Sequence, residues 1–391
     1  MLGSNGRIIL ILEVTAVPFT KYHYGGGEVY PWRLVKALSA DSNVLMVFSK
    51  LSGESVDLNN IKLIESYFLQ ASPFININNP IPSFSGLKEI KNVLETKELE
   101  FIHIHNLRTI FSTLWILLAH LNKKSHKYKI ILTDHTAKTF PFPKITANFV
   151  DYYFPVSNFS GHMLNDLVKR PTFVLPPIVP EELFSYQPVV KDIDILMVGR
   201  IVPWKRQDLG VEVINSIVKS GLIDIKCVIV GSIGDKGYYN DLVSLVKLYS
   251  LEKNVKFVPG ISSSELYDLI LRSKINMQFS LPTDMYHRKY RAPVEISSSS
   301  ILECAALGVP TVASKYPPFL ELIDNGQDGL IVDPTSVLSS STAIKNLLDD
   351  VENIRKMGEN ARKRAMKNNS EKVVRKKFLD YLNIIRMGYH K

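Results

Sequence analysis

Short β-rich apolar runs alternate with longer stretches of helical periodicity through both halves of this chain, the pattern of βαβ units that build parallel sheets. In the first half the runs predict strands at residues 8–14, 44–48, 101–105, 129–133 and 152–156. The pattern then restarts, with strands predicted at 194–198, 226–230, 255–258, 275–279 and 311–313. Between the two series, residues 175–192 carry Pro176, Pro177, Pro180 and Pro188 and read as a linker. The expected architecture is α/β, with two Rossmann-like doubly wound domains, 1–180 and 181–391, facing a cleft. Open α/β sheets bind ligands beyond the carboxyl ends of their strands, so both sheets should aim loops into that cleft. Residues 370–389 form an amphipathic helical pattern, which fits packing on the second domain or a return to the first.

Composition narrows the class. A chain of 391 residues exceeds one ordinary core, and 46% apolar with 22% charged residues is the balance of a globular enzyme. No segment reaches the roughly 18 uninterrupted apolar residues of a spanning helix. The apolar run at 8–12 is cut by Glu13 and preceded only by Arg7, too short and weakly charged for a signal peptide, so a cytoplasmic location is expected. Cys227 and Cys304 lie in apolar stretches and read as buried thiols. The net charge of +9 invites an anionic partner. Nucleic acid is not expected, because the cations form no aromatic-interleaved stripe. One cluster is His287, Arg288, Lys289 and Arg291; a C-terminal series from Arg355 to Lys377 reads as a solvated helix face.

Candidate chemistry concentrates in the second half. The run from Asp194 ends at Gly199, after which Arg200 and Lys205 would project from a strand's carboxyl end. A planar guanidinium and a compact ammonium both suit phosphate oxygens, and fixed cations count most where a diphosphate leaves with developing negative charge. Solvated loop cations are the plainer reading of that pair alone. Downstream, Glu295 is followed by Ile296, Ser297, Ser298, Ser299 and Ser300, then by a helical pattern closed by Gly308 and Pro310. Serines at a helix N-terminus offer hydroxyls and free N–H groups to an anion, while Glu295 and Glu303 could each pair with vicinal hydroxyls. Glu303, between Leu302 and Cys304, could equally be a paired structural carboxylate.

The first half offers Gly25, Gly26 and Gly27 ahead of a helical run from Glu28 to Leu38, without the spacing of a dinucleotide fingerprint. Tyr22, His23 and Tyr24 make the preceding loop a candidate acceptor contact or a packed loop. His135 ends a predicted strand, as a polar contact or a surface histidine. His103 and His105 share one strand face and formally match half a metal site, but no third ligand is evident, so no metal is expected. Asp192 and Asp194 start a strand rather than follow one and read as a strand-edge pair.

Taken in order, these motifs resemble the retaining glycosyltransferases of family 4, the group 1 or glycogen synthase-like enzymes of GT-B fold. The resemblance runs from about residue 8 to 334 and includes the glycine loop, His135, Val156 with Ser157, Gly199 and Arg200 with Lys205, and Glu295 with Glu303. Gly308 to Ser314, Glu321, and Gly326 to Pro334 continue it. It implies that Arg200 and Lys205 bind the donor diphosphate, that Glu295 holds the hydroxyls of the transferred hexose and that Glu303 takes the ribose. Ser299 and Ser300 would offer N–H groups to phosphate, Ile261 would lie beside the base, His135 would contact the sugar, and Gly26 and Gly27 would approach the diphosphate. His135, Arg200, Lys205 and Glu295 are thus the catalytic candidates. Front-face attack is implied, with the leaving phosphate assisting acceptor deprotonation and no cofactor. The donor would be a UDP-, GDP- or ADP-sugar; the acceptor would be lipid-linked or a saccharide, with peripheral contact to an anionic membrane.

Two departures stand out. Ile296 and the serines replace the aromatic or proline and the glycine usual after the first glutamate, and residues 281–294 are longer than usual and basic. Both point to an altered sugar pocket or an added acceptor contact. A sugar-nucleotide epimerase of similar fold and a non-catalytic sugar or nucleic-acid binder remain the alternatives.

Overall fold

The computed structural model describes residues 10–15, 26–38, 43–49, 61–66, 92, 94–95, 99–105, 110–123, 127–135, 146–290 and 293–388. The chain divides into two compact units, one of residues 1–20, 27–178 and 371–391, the other of 21–26 and 179–370. Among the described residues the first unit holds strands β1 (Leu10–Thr15), β2 (Asn43–Ser49), β3 (Ile61–Ser66), β4 (Leu99–His105), β5 (Lys129–Thr133) and β6 (Tyr152–Tyr153). They form one parallel sheet in the order β3-β2-β1-β4-β5-β6. The second unit repeats the plan with β7 (Ile193–Val198), β8 (Cys227–Val230), β9 (Val255–Val258), β10 (Ser273–Gln278), β11 (Thr311–Ser314) and β12 (Gly329–Val332). Its order, β12-β11-β10-β7-β8-β9, is the same winding read from the other edge.

In each sheet the winding reverses between the first and fourth strands, β1 and β4 or β7 and β10. In open α/β sheets such a reversal is where a crevice forms at the carboxyl ends, because the crossover connections run to opposite faces. A strand at that point is covered on both faces, and β7 is apolar on both. In β7, Ile195 and Met197 enter one buried cluster while Leu196 and Val198 enter the other. Strands β3 and β12 were not predicted: Ile61–Ser66 interleaves polar and apolar residues, and Gly329–Val332 is a four-residue run; both are edge strands.

The C-terminal helix, Glu371–Arg386, belongs to the first unit. Phe378 is fully buried with its ring 5.5 Å from that of His103. The Tyr381 hydroxyl donates to Val174 O at 3.1 Å, and Arg386 makes a two-point contact with Glu100 at 2.7 and 2.8 Å. The preceding helix, Val351–Asn369, stays with the second unit. It is less detached than a solvated face: Arg364 donates to Glu321 O at 3.0 Å and Asp328 Oδ2 at 3.3 Å, and Arg362 donates to Phe184 O. Cys227 and Cys304 are buried free thiols. Among the described residues no helix is long and apolar enough to cross a membrane.

Candidate active site

The second unit gathers its candidates at the carboxyl ends of β7 and β10. Gly199 follows β7 with φ +152°, a conformation that side chains disfavour. A Cβ there would lie 3.3 Å from Lys205 Cε and 3.5 Å from Nζ, so the glycine leaves the lane in which the lysine side chain runs. Lys205 closes the turn Pro203–Lys205, and its Nζ lies 2.5 Å from Glu295 Oε1. Ser280 Oγ donates to the same carboxylate oxygen at 3.1 Å. Assigned from its surroundings in the orientation that satisfies both ends, the buried carboxamide of Gln278, the last residue of β10, accepts through its oxygen from Lys205 Nζ at 2.8 Å and donates through its nitrogen to Val198 O at 3.2 Å and Ser300 Oγ at 3.3 Å. Lys205, Glu295, Gln278 and Ser280 therefore form one preorganised polar unit. Its side chains at Lys205 and Glu295 are only 14% and 13% exposed, where charge acts through little screening water.

Helix Ser299–Ala306 begins beside this unit. Ser298 is its N-cap, accepting from Ile301 N, and Ser299 and Ser300 occupy the first turn, where backbone N–H groups lack intrahelical acceptors. Glu303 is buried on the same helix. Arg200 is exposed and makes no ion pair with a described residue, whereas its carbonyl accepts from Gln207 Nε2 at 3.0 Å. Ile261 is half-buried against the core, after Gly260 at φ +67°. Asp192 pairs with Arg272 at 2.6 Å and Asp194 with Lys274 at 2.8 Å, which makes them a strand-edge pair.

Residues 281–290 of the long basic segment form a folded loop. Asp284, with no exposed side-chain surface, accepts from Tyr286 N, Arg288 N and Nε and the Tyr290 hydroxyl at 2.7–3.0 Å. Those contacts, led by the Tyr290 hydrogen bond, outweigh burial and hold the carboxyl below its usual range. Arg206, in the left-handed region at φ 53°, clamps Asp208 through Nε and Nη2 and donates to Thr283 O at 3.0 Å. Leu281 N donates to Trp204 O at 3.0 Å. The loop is thereby tied to both neighbours of Lys205, and Arg288 is engaged by Asp284.

In the first unit, β1 and β4 place Glu13 directly opposite His103. The Glu13 carboxylate accepts from His103 Nδ1 at 3.1 Å and His105 Nε2 at 2.8 Å. The Thr133 hydroxyl meets His103 Nε2 at 2.8 Å, and His105 Nδ1 meets His135 Nε2 at 3.0 Å. Glu13, His103 and His105 have no exposed surface. Burial raises the Glu13 pKa, but the two histidines outweigh it and hold the carboxyl at about 2. Burial, reinforced by His103, lowers His105 to about 4 against the pull of Glu13; burial and both other histidines push His135 well below its usual value. The third partner missing from the sequence reading is thus Glu13, and the ligand atoms of the trio lie within 4.8 Å of one another. Their separations are hydrogen-bond lengths, which a metal at about 2.0–2.2 Å from each would have to displace.

Sequence reasoning missed Glu13, Gln278 and Ser280, although a polar residue interrupting or ending an apolar strand was a usable signal. Gly26 and Gly27 fall in the first turn of helix Gly26–Leu38 rather than before it. Tyr22, His23, Tyr24 and Arg291 lie outside the described residues.

Residues 179–364, which lie within the second unit, match the family described as glycosyl transferases group 1. The GDP-mannose-dependent α-(1-6)-phosphatidylinositol monomannoside mannosyltransferase of Mycolicibacterium smegmatis is 27% identical over 176 residues, 44% of this chain. That match spans 43% of the relative, less than half its length. Among solved structures, a glycosyltransferase from Rickettsia africae superposes with a TM-score of 0.73 at 18% identity, covering 98% of this chain and 100% of its own. HepE of Anabaena in complex with UDP and glucose gives 0.71 at 16%, over 95% and 99%. Sucrose-phosphate synthase from Thermosynechococcus elongatus gives 0.72 at 17%, over 97% and 100%. The chain has the GT-B fold of these glycosyltransferases.

Proposed function

We propose that this chain is a retaining glycosyltransferase of family 4 that moves a hexose from a nucleoside diphosphate sugar to a hydroxyl of a lipid-linked or saccharide acceptor. The observation that carries the reading is the Lys205, Glu295 and Gln278 unit at the winding reversal of the second sheet, beside the N-terminus of helix Ser299–Ala306. Lys205 and Arg200 take the diphosphate, Glu295 the hexose hydroxyls, Glu303 the ribose and Ile261 the base. Ser299 and Ser300 add N–H donors, Gly26 and Gly27 approach the diphosphate, His135 contacts the sugar, and the first unit supplies the acceptor side. The acceptor oxygen bonds to the anomeric carbon as the bond from that carbon to the diphosphate breaks. The acceptor proton passes to the departing phosphate oxygen, so the chain's own groups position reactants and stabilise charge. The curated mannosyltransferase and the UDP-bound structure support a nucleotide-sugar donor. Thermal-shift measurements with UDP-, GDP- and ADP-sugars should show one base raising Tm, since binding to the native state stabilises it. Product analysis follows with that donor. Conversion of the donor without any acceptor would instead identify an epimerase, and no stabilisation by any of the three would remove the proposal.

A further inference from the structure

The buried cluster of the first sheet carries a deeper inference, which rests on the reading of His135 as a contact to the transferring sugar. Proton positions follow from donor and acceptor chemistry. An ionised carboxylate can only accept, so the nitrogens facing Glu13, His103 Nδ1 at 3.1 Å and His105 Nε2 at 2.8 Å, both carry hydrogen. A neutral imidazole has one N–H, which makes His105 Nδ1 an acceptor. His135 Nε2, 3.0 Å away, must then donate to it. The two rings lie within 13° of parallel with centroids 5.3 Å apart, so the N–H of one points along the lone pair of the other. In a neutral His135 the remaining nitrogen, Nδ1, is therefore the acceptor. The opposite arrangement would require His105 Nε2 to accept from Glu13, which has no proton to give.

We propose that Glu13 and His105 are positioning residues that fix the tautomer of His135, holding its Nδ1 as a hydrogen-bond acceptor for a hydroxyl of the sugar substrate. Strand register makes the device rigid. Glu13 and His103 are paired residues of β1 and β4, His105 is paired with Thr133 of β5, and His135 follows two residues later. Tyr30 of helix Gly26–Leu38 closes the other side, its ring centroid 4.6 Å from that of His135. Among the described residues the titratable groups that face His135 include Glu13, His103, His105 and Tyr30, with buried Asp134 adjacent in the chain. Burial keeps both His105 and His135 neutral at ordinary pH, the state the tautomer chain requires.

The test is long-range nitrogen–proton correlation NMR on histidine-labelled protein, with His135→Gln used to assign the ring signals. The wild-type chain should show His135 protonated at Nε2 and bare at Nδ1. Glu13→Gln keeps the shape but can offer an amide N–H to His105 Nε2, allowing the chain to reverse. The His135 signals should then move toward the other tautomer, and kcat should fall about tenfold or more while donor KM changes little, the scale for a carboxylate that orients a histidine. His105→Gln, with Glu13 intact, should give a similar loss if Glu13→Gln does not fold. Protonation at Nδ1 in the wild type, an unchanged tautomer in Glu13→Gln, or a tautomer shift without loss of kcat would each overturn the proposal. So would one divalent metal per chain retained by the wild type and lost in Glu13→Gln. A wild-type protein that transfers no sugar would overturn the functional reading instead, since the tautomer is read without substrate.

Discussion

Replacing Lys205 with alanine removes a cation whose Nζ lies 2.5 Å from Glu295 Oε1 and 2.8 Å from the Gln278 carboxamide oxygen. The ground-state cost is modest. Glu295 keeps Ser280 as a donor at 3.1 Å, so the loss of a partly solvated pair should lower stability by about 1 kcal/mol. The cost to turnover is larger if Lys205 faces a departing diphosphate, because losing one preorganised group aimed at developing charge costs about 2.7–4 kcal/mol, or roughly 10²–10³ in kcat. The difference between those magnitudes separates a catalytic cation from a structural one. Transfer should be measured with saturating donor, alongside Tm for each variant. Glu295→Gln and the double variant complete a cycle. If lysine serves the diphosphate and glutamate the hexose, the double variant should lose more than either single one. A kcat loss below threefold for Lys205→Ala, or a double variant no worse than the singles, would refute the assignment of separate roles.

Other outcomes follow from the same contacts. Gly199→Ala puts a Cβ 3.3 Å from Lys205 Cε at φ +152°, so strain of about 1–3 kcal/mol should lower Tm and kcat should fall about tenfold, read by melting and turnover together. The depressed value of His105, about 4 against an ordinary 6.5, contributes stability present above 6.5 and lost as pH falls toward 4. The unfolding free energy from urea titrations should therefore drop over that window by on the order of 3 kcal/mol, and His105→Gln should flatten the drop. Glu13, held at about 2, acts with the same sign from its ordinary 4.5 downward. Phe378→Ala should cost about 3–5 kcal/mol in the first unit, seen as a fall in its denaturation midpoint; a negligible loss would detach the C-terminal helix from that core. Asp284→Asn should raise donor KM and speed hydrogen exchange across residues 284–290 with little effect on global Tm.

Much of the candidate site was legible because residue type and local spacing mark where strand ends and helix starts bring such groups together. Gly199 before Arg200 and Lys205 announced a strand-end turn with cations, and the serine run before Ile301 announced a helix N-terminus. What the sequence missed is polar residues inside strands. Glu13 interrupts an apolar run and Gln278 closes one, and neither has a near neighbour in the chain that reveals its partner. Edge strands β3 and β12 escaped for a related reason. An edge strand needs only one neighbour and can be short or mixed in pattern, so the signal of burial weakens.

The sequence by itself determined the alternation of strands and helices, the two-domain plan and the cations, carboxylates and serines available for chemistry. Those follow from periodicity and composition, which local burial imposes on each segment. Only the tertiary structure decided that both sheets share one winding, that β10 brings Gln278 beside Lys205, and that β1 sets Glu13 against His103 and His105. It also decided that the helix Glu371–Arg386 completes the first unit. The reason is physical: a strand's pattern records that it is buried but not against which distant strand, and register between strands is fixed only when whole faces pack together.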